Sequence, residues 1–257
     1  MRLGLGFGVD KMQVRNSVKL ELQTDQTPIS QNNFVFQLPV GKKIKVNWGN
    51  GDITTLNGAG TSNITATSNY TITGNYNITI TGNLDYITVI DIHSQSNLSG
   101  DLSTWNLSNW VNLTRLYLYI NNLSGDLSTW DLSKLTKLEG LFLAHNNFSG
   151  DLSTWDLSAM TSLISFYIYN NQFTNIFTLK KNTSWNNINI QLQENRLIDN
   201  SKISTFFETL NSFAGTNGSV NVTNTNGGSM TYADLTVAGK AAHASLLAND
   251  WTITMNT

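Results

Sequence analysis

A gapless internal repeat constrains this chain more than any other feature. Residues 98–122 read LSGDLSTWNLSNWVNLTRLYLYINN, residues 123–147 LSGDLSTWDLSKLTKLEGLFLAHNN and residues 148–172 FSGDLSTWDLSAMTSLISFYIYNNQ, a period of 25 held in register throughout. A unit this short cannot bury an apolar face alone, so its copies must stack, and like residues then form columns. An alternating stretch in each copy reads as a short strand whose inward residues align as Leu116/Leu118, Leu141/Leu143 and Phe166/Ile168. Degenerate copies at 87–97 (ITVIDIHSQSN) and 188–197 (INIQLQENRL) add Ile90/Ile92 and Ile190/Leu192 to the same columns. Asn121, Asn146, Asn171 and Asn195 each follow the second inward residue by three positions. An amide there can satisfy the backbone of a buried turn, so a structural role is expected of them rather than a catalytic one.

These spacings match the leucine-rich-repeat pattern L-x-x-L-x-L-x-x-N, whose period is about 20 to 29 residues. The SGDLSTWDLS half also resembles the tryptophan-containing 25-residue repeats of bacterial surface proteins, a leucine-rich-repeat-like class. The resemblance covers residues 84–197 and implies a parallel β-solenoid used for adhesion or display.

The flanks read differently. In residues 15–83, Val18/Leu20/Leu22, Phe34/Phe36/Leu38, Ile44/Val46/Trp48 and Tyr76/Ile78/Ile80 alternate with polar residues, and GNGD (49–52) and TGN (73–75) punctuate them. A small antiparallel sandwich is expected. KIKVNWGNGDITTL followed by YTITGNYNITITG resembles the polycystic-kidney-disease-type (PKD-like) immunoglobulin-like domain, with Asn50 in place of that family's usual turn Asp. Beyond the repeats, Ile203, Phe206, Phe207, Leu210 and Phe213 fall at helical spacing, with Ser201 placed to cap the helix and Gly215 to end it. SVNVT (219–223) then reads as a strand, Leu235 to Ala248 as a helix and WTITM (251–255) as a strand. The ending GKAAHASLLANDWTITMN resembles the terminal cap of leucine-rich-repeat proteins of Bacteroidetes-type bacteria, their phages and prophages. The expected chain is therefore β-rich with some α: an arm over 1–14, a PKD-like β-sandwich over 15–83, a leucine-rich-repeat-like solenoid over 84–197 and an αβαβ C-terminal cap over 198–257.

Composition removes several function classes. Charged residues make up 12% of the 257, with 15 Lys+Arg against 17 Asp+Glu, whereas a share near 25% is usual. Solubility rests on neutral groups instead, among them 35 Asn and 31 Thr. Nucleic acid is not an expected partner, because phosphate affinity needs clustered Lys and Arg. With no cysteine, and with His93, His145 and His243 far apart, no metal site is expected by local spacing. The opening MRLGLGFGVDKMQVR lacks the apolar stretch of a secretory signal, and no run approaches the ~18 residues of a membrane span. No G-x-S-x-G, H-E-x-x-H or Walker loop is present, and LGLGFG (3–8) lacks dinucleotide-binding spacing. Neither catalytic residues nor cofactors are expected.

Three columns remain as candidate sites. Asp101, Asp126 and Asp151 would repel by roughly 3 kcal/mol per neighbouring pair if bare at ~5 Å in a dielectric near 20. Capping of the following backbone N–H groups, exposure to water, or a calcium ladder would each relieve this. Trp105, Trp130 and Trp155 recur inside L-x-x-W-x-L and suit core or edge packing better than a sugar platform. The outward strand positions place Tyr117, Phe142 and Tyr167 in one row and Tyr119, Ala144 and Tyr169 in the next, flanked by Asp91 and His93 on one side and Gln191 and Gln193 on the other. An apolar patch ringed by hydrogen-bonding groups suits a glycan or a protein partner. The same rows also read as a cross-strand ladder that only stabilises the sheet, at up to ~1 kcal/mol per pair.

The expected function is that of a non-enzymatic spike, fibre or receptor-binding subunit on a phage virion. An adhesin-like architecture without an export signal motivates this, since lysis releases virion proteins. The arm and sandwich would contact other virion proteins, and an aromatic patch with weak charge repulsion points to a homo-oligomer. A bacterial cell-surface or secreted adhesin is the alternative, and a polysaccharide hydrolase, which would need a carboxylate pair, stands last.

Overall fold

The computed structural model describes residues 23–24, 32–72, 74–95, 98–176, 185–197, 200–213, 215–223 and 231–256. Among the described residues the chain is β-rich, with a parallel β-solenoid of about four turns and two α-helices. The arm over 1–14 and the strand expected around Val18, Leu20 and Leu22 lie outside the described residues.

The N-terminal strands are β1 (Gln23–Thr24), β2 (Asn33–Gln37), β3 (Lys43–Asn47), β4 (Ile53–Asn57), β5 (Ile64–Thr67) and β6 (Thr79–Gly82). Alternation in β2 and β3 buries Phe34, Phe36, Ile44 and Val46 while their neighbours face outward. β3 pairs antiparallel with β4 and β6, making a three-stranded sheet. The Trp48 ring lies 4.9 Å from Phe34 and so joins this sheet to β2. The turn after Trp48 depends on Gly49, at φ +79, where a Cβ would sit 2.7 Å from the Asn77 carbonyl oxygen. Asn50 and Asp52 close it with two mutual hydrogen bonds of 3.0 Å. β5, which the sequence pattern does not reveal, buries Ala66 alone.

β2 pairs antiparallel with β5 on one side and on the other with β7 (Val89–Asp91), the first strand of the solenoid. The N-terminal region and the repeats therefore share one sheet. That sheet continues in parallel through β9 (Arg115–Tyr117), β11 (Gly140–Phe142), β13 (Ser165–Tyr167) and β15 (Asn189–Gln191). Ile90, Leu116, Leu141, Phe166 and Ile190 are direct register partners along it, and all five are buried.

Each coil then turns into a second parallel sheet, made of β8 (Leu98–Asp101), β10 (Asn122–Asp126), β12 (Asn147–Asp151) and β14 (Gln172–Thr174), with β1 antiparallel at its edge. The corner between the sheets puts one non-glycine residue per coil in the left-handed region: Ser94, Ile120, His145, Asn170 and Glu194, at φ 52 to 56. That conformation costs roughly 1–2 kcal/mol per residue, and the asparagine column offsets it. Asn146 Nδ2 donates to Leu118 O (2.8 Å) in the preceding coil and to Leu143 O (3.1 Å) in its own, while its Oδ1 accepts from Leu123 N (3.0 Å). Asn121, Asn171 and Asn195 repeat the pattern.

The tryptophans form a second internal column. Trp105, Trp130 and Trp155 are buried, with successive rings 6.3 and 6.4 Å apart and nearly parallel. Trp130 and Trp155 each donate Nε1–H to a carbonyl one coil back, Leu102 O at 3.0 Å and Leu127 O at 2.7 Å. Trp185 does the same with Met160 O at 2.9 Å.

The C-terminal part contains α1 (Asn200–Phe213), β16 (Ser219–Asn221), α2 (Val237–Ala248) and β17 (Thr252–Thr254). α1 already includes Asn200, so Ser201 lies within its first turn rather than capping it; the Ser201 carbonyl accepts from the Thr205 hydroxyl, an intrahelical contact. Ile203, Phe206, Phe207 and Leu210 face the core. α2 starts two residues later than the apolar pattern suggests, because Thr236 is its N-cap and accepts from Gly239 N at 3.0 Å. Gly239 allows the helices to meet, since a Cβ there would fall 2.7 Å from Ser204 Cβ. β16 stops at Asn221, whose side chain takes the Thr223 N–H (3.1 Å). β16 and β17 pair in parallel beyond β15, and one buried cluster runs from Phe34 to Trp251.

Candidate functional site

Period-two alternation that sends Leu116, Leu141 and Phe166 inward sends their neighbours outward. Asp91, Tyr117, Phe142, Tyr167 and Gln191 are thereby direct register partners. Two residues further on, His93, Tyr119, Ala144, Tyr169 and Gln193 follow as a second row, carried by the backbone bonds Ser94 N to Tyr119 O, Ile120 N to Ala144 O, His145 N to Tyr169 O and Asn170 N to Gln193 O. All nine residues expected at a binding face lie on these two rows.

The rings touch one another along and across the rows. Tyr117 and Phe142 stack at 4.5 Å, Phe142 meets Tyr167 edge to face at 5.1 Å, and Tyr117 meets Tyr119 at 6.3 Å. Tyr117, Tyr119, Phe142, Ala144, Tyr167 and Tyr169 line a depression of about 260 Å³. Burial pushes the Tyr117 phenol up, with Asp91 and Glu139 adding to the shift against Arg115, and burial also raises Tyr119. Both therefore present neutral hydroxyls.

The flanks carry the polar contacts. His93 Nδ1 contacts Asp91 Oδ1 closely, and its ring stacks on Tyr119 at 4.6 Å and 7°. At the other end Gln191 Nε2 donates to Asn189 Oδ1 (2.5 Å), and Asn189 Nδ2 donates to the Tyr167 hydroxyl (2.8 Å). Gln193 Oε1 is shielded from solvent and accepts no hydrogen bond. Arg115 and Glu139 pair with each other at 2.9 Å. Sequence reasoning overlooked Asn189 and His145. Asn189 sits one coil beyond Ser165 in the register, and His145 packs edge-on against Tyr169 at 4.9 Å; neither position repeats, so no column drew attention to them.

The aspartate column lies away from this face. Asp101, Asp126 and Asp151 accept the backbone N–H of Ser103, Ser128 and Ser153 at 2.8, 2.9 and 2.8 Å. Burial acts to raise the Asp151 carboxyl, but the Ser153 donors, the Asn175 amide and the Lys202 charge outweigh it and hold the group below its ordinary range. Among the described residues, no group of three or more His, Asp or Glu side chains could hold a metal ion, and no helix is long and apolar enough to cross a membrane.

A repeat-built solenoid with an aromatic outer face defines the class. Residues 88–206, just under half of the chain, match the sequence model of the family described as Mycoplasma protein of unknown function, DUF285. The match spans the solenoid and the start of α1, and together they fit a repeat surface protein. No curated protein matches the chain.

Proposed function

We propose that the protein is a non-enzymatic recognition module displayed at a surface, as a spike, fibre or receptor-binding subunit of a phage virion, and that it engages a host-surface glycan or protein through the outer face of β9, β11 and β13. One observation carries this reading: three consecutive coils turn half-buried rings outward around a shared depression, where a sheet serving only as scaffold would be met by polar side chains. The N-terminal strands, read as a PKD-like sandwich, would attach the module to neighbouring virion proteins, and the αβαβ segment would cap the solenoid. Assembly as a homo-oligomer accords with the low charge. A bacterial cell-surface adhesin is the second reading, favoured by the family match, whose description names a bacterium.

Replacing Tyr117, Phe142 and Tyr167 together by Ala tests the face. Attachment of the purified protein to intact target cells should fall at least tenfold, while Tm drops by no more than about 15 °C, since the four half-buried ring pairs removed contribute up to ~1 kcal/mol each. Unchanged attachment would reduce the rows to a stabilising ladder. Mass spectrometry of purified virions, set against protease shaving of intact bacteria, separates the two settings.

A further inference from the structure

The second outward row contains a gap. Its column runs His93, Tyr119, Ala144, Tyr169, Gln193, and the middle coil supplies a methyl group where both neighbouring coils supply a phenol. A row built only to stabilise the sheet would gain from a third ring at this point. Instead Ala144, 2% exposed, forms the floor of the depression, with Tyr119 and Tyr169 on either side and Phe142 beside it.

Strand spacing sets the width of this slot. Tyr119 and Tyr169 stand two coils apart, about 9.6 Å at ~4.8 Å per strand. A carbon contact of roughly 3.5–4.0 Å on each side leaves room for one puckered six-membered ring and not for two. The near wall is braced: His93 covers the outer face of Tyr119, parallel to within 7°, and is itself held by Asp91, so the opposite face of Tyr119 looks toward Ala144.

From this geometry we infer that the Ala144 slot binds a single neutral hexopyranose unit of a glycan, its C–H faces against the tyrosines and its hydroxyls at the polar rim. The inference rests on the recognition reading above and narrows its ligand. C–H groups carrying partial positive charge suit the electron-rich faces of aromatic rings. The rim supplies hydroxyl and amide partners in Tyr119, Tyr169 and the Gln191–Asn189–Tyr167 relay. Acidic sugars do not fit. Arg115, on the face beside Tyr117, is already paired with Glu139, and Asp91 adds an acidic group in the same row as Tyr117, so a carboxylate or phosphate would lose water for little return.

Saturation-transfer NMR on the full chain tests this with methyl glycosides of glucose, galactose, mannose and N-acetylglucosamine, and with methyl glucuronide as the charged comparison. At least one neutral glycoside should receive saturation at its ring C–H protons, and methyl glucuronide should receive less. Ala144→Tyr, which completes the row, should weaken that binding at least tenfold with Tm equal to or above the parent. Tyr119→Leu, which keeps apolar volume but removes the stacking face, should weaken it similarly and covers the case in which Ala144→Tyr folds poorly. Absence of transfer to every neutral glycoside, or transfer undiminished in both variants, would overturn the slot. If target-cell attachment is still lost in the Tyr117/Phe142/Tyr167 triple variant, the recognition reading survives with a non-sugar ligand; if attachment persists there too, both readings fall.

Discussion

The asparagine column and the outer tyrosine row occupy the same coils two residues apart, yet they are built on opposite rules. Asn121, Asn146, Asn171 and Asn195 are the same residue four times over, each bonding its own coil and the one before it. The row at His93, Tyr119, Ala144, Tyr169 and Gln193 changes at almost every step. An inward position must satisfy neighbours above and below within the protein, so stacking tolerates only what both accept. An outward position has water as its third neighbour and is free to vary. Uniformity therefore records packing, and variation marks where a ligand can be met.

The largest break comes from the most uniform columns. Trp155→Ala should cost about 4 kcal/mol, because it removes a buried ring stacked on Trp130 and the bond to Leu127 O. Chemical denaturation measures this, and a loss under ~1 kcal/mol would mean that the column packs loosely. Asn146→Ala should cost about 2 kcal/mol: the Leu123 N–H loses its acceptor, and the Leu118 and Leu143 carbonyls each lose one donor while keeping those from Asn121 and Asn171. Both losses should exceed that of any single ring removed from the outer rows.

The smallest effect sharpens the comparison at the aspartates. The folded pKa of Asp151 lies below 3.8, so its stabilising contribution is present at higher pH and is lost as pH falls through the folded value. The Tm difference between the parent and Asp151→Asn should stay constant above about pH 5 and shrink below about pH 4. A gap unchanged at pH 2 would show that the carboxylate charge is not what caps the Leu152–Thr154 turn.

What the sequence disclosed follows the same division. The inward columns, the tryptophans and the outward rows were legible because a fixed period places identical side chains one above another. The second sheet was not: Leu-Ser-Gly-Asp offers one apolar residue, and Gly125 and Gly150, at φ +126, hide the strand from any alternation test. Nor did alternation disclose that β2 would pair with β7, since a strand's neighbour is chosen by tertiary packing and not by its own pattern. Ser201 looked like a cap because residue type alone cannot place the first helical turn to within a residue. Ala144 stood in plain view in the aligned copies, but its meaning depended on the rings beside it.

Residues 124–133 and 149–158 are identical, SGDLSTWDLS in both, and the strands on either side pair in unbroken register. Duplicating or excising one 25-residue block by recombination between such stretches would leave both ends of the rod with the partners they have now. Length can thus drift in whole steps over generations, and each block gained carries a fresh pair of outward positions, so the lineage can try new contacts without rewriting its interior.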